Sequence, residues 1–322
     1  MNDIEKAGAA ELAKLASDGE ELAKATKAEN TKKAYRSDVK QFELWCAEFG
    51  RDPLPASAEL VAAWIVHLNR KGHKPASISR SLTAINQKHL LAGFSSPVDP
   101  RVREILKGIR RQRGTSQIKA APITVEHLKQ LIKWCDRDFI GVRDKAILLV
   151  GWTAALRRSE LAALNVEDLE EQADGLVITL RRSKADQEGA GFKVGLPFVD
   201  NPELCAVRAL RRWLEMADIK EGAIFRRIGK AGRGTMFAKT HARLSEKAVS
   251  LVIKDLVKQA GYDPEKYSAH SLRAGLATSA AQAGIGERAI MSITGHKSEK
   301  TLRGYIRDGS IFREHPAKEL LK

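Results

Sequence analysis

Seven side chains between residues 157 and 305 have the types and spacings to bind an anion and to move a proton beside it. His270-Ser271-Leu272-Arg273 sets an imidazole and a guanidinium three residues apart, which on a helix share one face. At a helix start, the backbone N–H groups add to the attraction for an anion. Arg157 precedes a Ser-Glu helix opening, and Glu160, three residues on, is placed to hold its planar fork. Lys184, within Arg181-Arg182-Ser183-Lys184-Ala185-Asp186, falls where a strand gives way to a loop, from which a lysine reaches a phosphate or a leaving group. Gly295-His296 and, nine residues later, Tyr305 complete the set. Read singly, each has a plainer explanation. His270 and Arg273 would mark a solvated helix face, Arg157 and Glu160 a surface ion pair of little worth, Lys184 a solubilising turn, His296 a cap and Tyr305 a buried anchor.

The hydropathy pattern supplies the elements that must position them. Residues 1–27, rich in Ala, Lys and Glu, read as an N-terminal extension that forms a surface helix or stays disordered. A helix is predicted from about Thr31 to Phe49, closed by Gly50, with Tyr35, Val39, Phe42, Leu44 and Trp45 on its apolar side. A second, capped by Ser57, runs to about Asn69 and turns Leu60, Val61, Trp64, Ile65 and Leu68 to a core. Pro75-Ala76-Ser77 opens a third through about Leu91, and Asp99-Pro100 caps and opens a fourth that ends near Gly114. Residues 28–114 are therefore expected to form an all-α unit, followed by a linker at 115–122 that ends in a proline. Beyond it the spacing predicts helices at 124–135, 141–155, 159–163, 202–217, 246–260, 270–283, 286–294 and 298–306. Gly175–Leu180 and Phe192–Pro197 read as strands joined in a long hairpin. The fold class is mainly α with a small antiparallel β-sheet, an N-terminal helical domain leading into a C-terminal mixed α+β domain.

Composition narrows the partner. The chain has 322 residues, enough for about two domains. Lys and Arg number 55 against 40 Asp and Glu, a net charge of +15, and the pI is near 9.7. Such a surplus favours a polyanion. The cations are spread along the whole chain rather than gathered in one amphipathic helix or tail, which favours nucleic acid over a membrane surface. No apolar run is long enough to span a bilayer, and the N-terminus lacks the layout of a secretory signal. Cys46, Cys135 and Cys205 are too far apart to suggest a disulfide framework or a metal pair, so the chain reads as cytoplasmic, reduced and without a metal site.

In this order and spacing, Arg157 with Glu160, Lys184 in the hairpin, His270-x-x-Arg273, Gly295-His296 and Tyr305 resemble the tyrosine recombinase (phage-type integrase) family. The resemblance covers 123–307 as the catalytic domain most clearly, and 28–114 looks like the family's helical core-binding domain on less specific grounds. The arrangement is similar to the simple two-domain, Cre-like members. In Cre-like proteins the second histidine position can be tryptophan, whereas this chain has His296 there, as in most of the family.

The resemblance implies a site-specific DNA recombinase in which Tyr305 attacks a phosphodiester, forming a 3′-phosphotyrosyl link and a free 5′-hydroxyl. Arg157 and Arg273 would bind the nonbridging oxygens, His296 would add a hydrogen bond, His270 would accept the phenolic proton, Lys184 would protonate the leaving 5′-oxygen, and Glu160 would orient Arg157. One phosphoester replaces another, so no ATP is expected; the arginines supply the charge that a cation would otherwise supply, so no metal and no cofactor is expected. The implied partner is a double-stranded recombination site, held by both domains and bound by a homotetramer on synapsed DNA. A bacterial, phage or plasmid origin and a place at the nucleoid are implied as well, and no particular accessory protein is indicated. Lys33, Arg36, Lys74, Ser77, Arg80 and Lys88 in the first domain, and His241 and Arg243 in the second, are candidate DNA contacts. The tail, 308–322, carries Ile311, Phe312, Leu320 and Leu321 among charges; it would cap its own core or, as the resemblance implies, dock on a neighbouring subunit. Two other readings remain open at this point: a nicking-closing enzyme of the type IB topoisomerase sort, and a non-catalytic DNA-binding regulator.

Overall fold

The computed structural model describes residues 29–114, 120–135, 137–181, 191–229 and 239–295, with a few positions near the two ends. Lys184, His296 and Tyr305, the helix expected at 298–306, and most of the 1–27 extension and of the 308–322 tail lie outside the described residues. The chain divides into two compact units, Met1–Ile118 and Lys119–Lys322.

The first unit is built from α1 (Glu29–Glu48), α2 (Ala58–Arg70), α3 (Pro75–Leu91) and α4 (Pro100–Arg113). Their starts follow from local chemistry. Ser57 Oγ accepts from the Leu60 N–H at 3.2 Å, and Asp99 Oδ1 accepts from the Val102 N–H at 2.8 Å with Pro100 behind it. Phe42, Trp45, Trp64, Ile65, Ile78, Ile85 and Val102 form the centre of its core. Trp64 keeps its indole N–H satisfied by donating to Ser81 Oγ at 3.0 Å. One expected core position differs: Leu44 is 59% exposed, whereas Asp38 is buried. The inward stripe of α1 runs through Asp38, Phe42, Trp45 and Cys46, and two residues on from Phe42 a side chain points to the far side of a 3.6-residue helix.

The second unit surrounds α6 (Phe139–Thr153), whose Ile147, Leu148, Leu149 and Val150 are all fully buried. Around it lie α5 (Val125–Leu131), α7 (Arg158–Ala163), α8 (Ala206–Ala217), α9 (Glu246–Gln259), α10 (His270–Gln282) and α11 (Glu287–Thr294). The two charges that α6 buries have partners: Arg143 pairs with Asp144 at 2.7 Å, and Lys145 with Glu203 at 2.6 Å. β1 (Leu169–Gln172), β2 (Gly175–Leu180) and β3 (Phe192–Pro197) form an antiparallel sheet in that order, with Leu169 opposite Ile178 and Leu180 opposite Phe192. Leu176, Ile178 and Leu180 on β2 and Val194 and Leu196 on β3 face the core at every second residue. The expected hairpin is thus the inner part of a three-stranded sheet.

β1 escapes sequence reading because Leu-Glu-Glu-Gln has no alternation. It is an edge strand whose side chains are almost all exposed. β4 (Arg226–Ile228) and β5 (Lys239–Arg243) form a further antiparallel pair that the sequence pattern did not announce. The helix expected from 202 starts at Ala206, after a separate turn of 3₁₀-helix at Pro202–Leu204. No described helix is long and apolar enough to cross a membrane.

Candidate active site

Arg157 stands at the N-cap of α7, immediately after the turn that ends α6. That turn is forced into shape at Ala155, which has φ +50 and is fully buried. The Leu156 N–H returns to the Gly151 carbonyl at 3.1 Å and the Ala155 N–H to the Trp152 carbonyl at 3.1 Å, so the last carbonyls of α6 are satisfied as the chain reverses. A non-glycine residue in the left-handed region costs about 1–2 kcal/mol, and the surrounding core holds it there.

Glu160 then does two things. Its Oε2 accepts from the Arg157 backbone N–H at 2.8 Å, and its Oε1 accepts from Arg157 Nη1 at 2.6 Å. The Glu160 side chain is only 4% exposed, against 24% for Arg157. The pair therefore fixes the guanidinium from the protein side and leaves part of it open to solvent, as the spacing of the two residues had suggested.

Arg273 reaches the same turn from α10. It is buried, and its Nη1 donates to the Ala155 carbonyl at 3.0 Å. The approach depends on two glycines. A Cβ on Gly151 would lie 2.8 Å from Leu272 Cδ1 and 3.0 Å from Leu161 Cδ2, so a larger residue would have to move these two buried side chains. A Cβ on Gly275 would lie 1.9 Å from the Ile123 carbonyl oxygen. Here the backbone of α10 meets residues 121–124, and the Ile123 N–H donates to the Ser271 carbonyl at 2.9 Å.

His270 opens α10 one turn before Arg273. Its pKa is lowered from the ordinary imidazole value, first by the surrounding protein, which disfavours the charged form, and then by the positive charges of Arg273 and Arg157. The structure thus brings Arg157, His270 and Arg273 within electrostatic reach of one another, with Glu160 behind Arg157. Two guanidiniums and a neutral imidazole around one spot can hold an oxyanion and accept a proton beside it.

The remaining members are approached from their described neighbours. α11 ends at Gly295 in the left-handed conformation, φ +58. A Cβ there would be 3.7 Å from the ring of Phe192, the β3 residue paired with Leu180. Gly295, the residue before His296 in the sequence, therefore adjoins the start of β3.

The candidate DNA contacts divide by what already engages them. Lys33, Arg36 and Lys74 are exposed and Ser77 is half-buried. Arg80 instead makes two bonds to Asp38, Nε to Oδ2 at 2.7 Å and Nη2 to Oδ1 at 3.0 Å, and Lys88 pairs with Glu43, so both tie α3 to α1. Arg243 Nη1 donates to the carbonyls of Ala162 at 2.8 Å and Leu164 at 3.1 Å, and its Nη2 donates to Asn165 Oδ1. That guanidinium is engaged by the end of α7. His241 Nδ1 lies 3.2 Å from Arg226 Nη1, on β5 rather than in a loop.

Sequence reading passed over the cationic surface of α4. Arg101, Arg103, Lys107, Arg110, Arg111 and Arg113 are all exposed, against the single acid Glu104. Arg110 Nη2 donates to Ser79 Oγ at 2.9 Å, which sets the last turns of α4 beside the start of α3, where Lys74 and Ser77 stand. A simple charge count over 100–113 would have found it. Among the described residues, no group of three or more His, Cys, Asp or Glu is placed to hold a metal ion.

Comparison with known proteins agrees with this geometry. The model of the phage integrase family matches residues 122–310, and that of the phage integrase N-terminal SAM-like domain matches 20–89. An integrase/recombinase xerD homolog of Selenomonas ruminantium is 41% identical over 295 residues, covering 90% of this chain and 85% of that protein. Recombinase cre of Escherichia phage P1 is 25% identical, covering 87% and 84%. In fold, the chain is similar to the Tn1549 transposon integrase in complex with transposon right end DNA, at a TM-score of 0.65 and 16% identity, covering 95% and 98%. It is similar also to a lambda integrase dimer bound to a core site, at a TM-score of 0.59 and 16% identity, covering 94% and 77%. With the family's model spanning more than half of its length and a relative of such identity along nine-tenths of it, this chain belongs to the phage integrase family, the tyrosine recombinases, which are DNA strand-transferring enzymes.

Proposed function

We propose that the chain is a site-specific recombinase that cleaves and rejoins duplex DNA through Tyr305. The observation that carries this reading is the meeting of Arg157, His270 and Arg273 at the turn around Ala155. An ordinary phenol has a pKa of about 10 and is a poor nucleophile at neutral pH. A neutral His270 takes its proton as the oxygen attacks phosphorus. Negative charge grows on the nonbridging oxygens, where the two guanidiniums hold it with fixed donors, and His296 adds another. Lys184 gives a proton to the departing 5′-oxygen. A 3′-phosphotyrosyl link remains, and a 5′-hydroxyl of a partner strand reverses the step on the new strand. Phosphoester is exchanged for phosphoester, so the balance calls for no nucleotide.

The exposed cations of α4 together with Lys33, Arg36, Lys74 and Ser77 serve as the DNA surface of the first unit, the core-binding domain, by phosphate contact. The second unit is the catalytic domain. We further propose that four copies act on two synapsed sites, with the tail docking on a neighbour, and that the protein works in the cytoplasm at the chromosome or a mobile element.

The reading is tested by trapping. A nicked suicide duplex drawn from DNA flanking the gene should yield a covalent adduct whose peptide maps to Tyr305. Tyr305→Phe should remove the adduct and leave binding within about twofold. An adduct that persists in Tyr305→Phe would overturn the nucleophile, and relaxation of supercoiled DNA without strand transfer between two sites would favour the nicking-closing reading.

A further inference from the structure

Outside the residues discussed so far, one polar cluster has every hydrogen bond directed. Thr124 Oγ1 donates to Glu126 Oε2 at 2.8 Å. A hydroxyl has one proton, so toward His127 Nδ1, 2.9 Å away, the same oxygen acts as acceptor. The imidazole proton therefore sits on Nδ1, and Nε2 accepts from the Tyr267 hydroxyl at 3.3 Å. The chain of donors runs one way, from Tyr267 to His127 to Thr124 to Glu126. Tyr267 is buried, which raises its pKa and keeps it a donor, and the bond from Thr124 holds the Glu126 carboxyl below its usual range and keeps it an acceptor. Tyr262 packs against both rings, with centroids 4.9 Å from His127 and 6.1 Å from Tyr267.

The position of this cluster matters more than its chemistry. Tyr267 is the third residue before His270. Around it the backbone is stitched to the segment before α5: the Ala121 N–H donates to the Lys266 carbonyl at 2.7 Å and the Ile123 N–H to the Ser271 carbonyl at 2.9 Å. Ser268 and Ser271 close the turn between them, Ser268 N–H to Ser271 Oγ at 3.0 Å and His270 N–H to Ser268 Oγ at 3.2 Å. Ala269, the N-cap, has no polar side chain to do so. The bond from the Tyr267 hydroxyl to His127 joins this turn to the start of α5 across 140 residues of sequence.

We propose that Tyr267 and His127 are positioning residues for His270, their directed chain to Thr124 and Glu126 locking the entry of α10 onto the start of α5. The proposal rests on the recombinase reading for what His270 does, but not for where it stands. A ring displaced by about 1 Å from its partner costs up to about 100-fold in rate, so a single hydroxyl at the root of the helix is enough to matter.

The test uses the full chain with Tyr267→Phe, which keeps the buried ring and removes the donor, and His127→Leu, which removes the acceptor. His127→Gln, whose amide can accept from Tyr267 and donate to Thr124, serves as the conservative control. The first readout needs no DNA: the imidazole titration of His270 in histidine-labelled protein, assigned with His270→Gln. The charges that bear on this ring come from Arg273 on its own helix and Arg157 at the start of α7. In the parent the midpoint should lie below about 6.5, the ordinary value. In Tyr267→Phe and His127→Leu it should rise toward that value as the ring leaves the surrounding protein and, with it, the two guanidiniums, with His127→Gln closer to the parent. The second readout is adduct formation on the nicked duplex, expected to fall about tenfold in Tyr267→Phe with DNA affinity within about twofold. A titration midpoint unchanged in both Tyr267→Phe and His127→Leu would overturn the proposal, even if stability fell. A shifted midpoint in a protein whose parent forms no adduct would sustain the positioning and sink the recombinase reading instead.

Discussion

Arg80 and Arg157 are both gripped by a buried carboxylate, yet the two pairs do opposite work. Asp38 takes the Nε and Nη2 edge of Arg80 across 42 residues of sequence, and the bond joins α3 to α1. Glu160 takes one Nη of Arg157 from three residues away, and spends its other oxygen on the backbone of the same arginine. The first pair ties two helices together. The second ties nothing distant and instead aims a cation. An ion pair across elements contributes to the fold, whereas a pair within one helix turn leaves the tertiary structure as it was and decides only where the guanidinium points.

That contrast can be broken by experiment, beginning with the largest effect. Arg157→Ala should lower adduct formation by about 100- to 1,000-fold, the loss expected when one donor to a developing oxyanion is removed, at a stability cost of the same order as that of Arg80→Ala, because Glu160, only 4% exposed, keeps just its bond from the residue-157 N–H. Arg80→Ala should leave the rate within about threefold while costing about 1–2 kcal/mol, since it strands the buried Asp38 carboxylate beside a partner site that is half open to water. If Arg80→Ala abolished the reaction at normal stability, the division of labour would be wrong. Next comes Gly275→Ala. A Cβ 1.9 Å from the Ile123 carbonyl should destabilise the second unit by about 3 kcal/mol or more, read from denaturant unfolding, because backbone cannot step aside as a side chain can.

Glu160→Gln sharpens the comparison further. It retains an acceptor for the Arg157 N–H and loses the charge that grips Nη1, so the rate should fall about tenfold, near 1.4 kcal/mol of transition-state stabilisation, while thermal stability changes little. The smallest effect is expected at Ala155→Gly. Glycine relieves the left-handed strain at φ +50 but loses more entropy on folding, so stability should rise by no more than about 1 kcal/mol. A looser turn would show as a modest drop in rate, measured on the same nicked duplex.

Much of the site could be read in the sequence, because its signals are local. Ser57, Asp99 and Ser245 each accept from the third residue of the helix they begin, and all three are caps by residue type alone. Arg157 and Glu160 meet because a helix turn brings positions three apart together. Leu44 was misread since apolar character alone does not say which side of α1 faces inward, and β1 was missed since an exposed edge strand carries no hydrophobic alternation. The candidate DNA contacts were the least legible part. Arg80, Lys88 and Arg243 look like any other cations in the sequence, and nothing in their neighbours reveals that Asp38, Glu43 and the carbonyls at the end of α7 engage them.

What the sequence determined by itself is the inventory and the local geometry: which side chains can hold a phosphate, where the helices begin, and which carboxylate stands beside Arg157. The tertiary structure alone decided that Arg273 meets a carbonyl 118 residues away and that Tyr267 answers to His127 across 140. The reason is physical. Those meetings depend on close packing at Gly275, where α10 meets the Ile123 backbone, and at Gly151, where Leu272 and Leu161 close in, and a missing side chain leaves no periodic mark by which the approach could be foreseen.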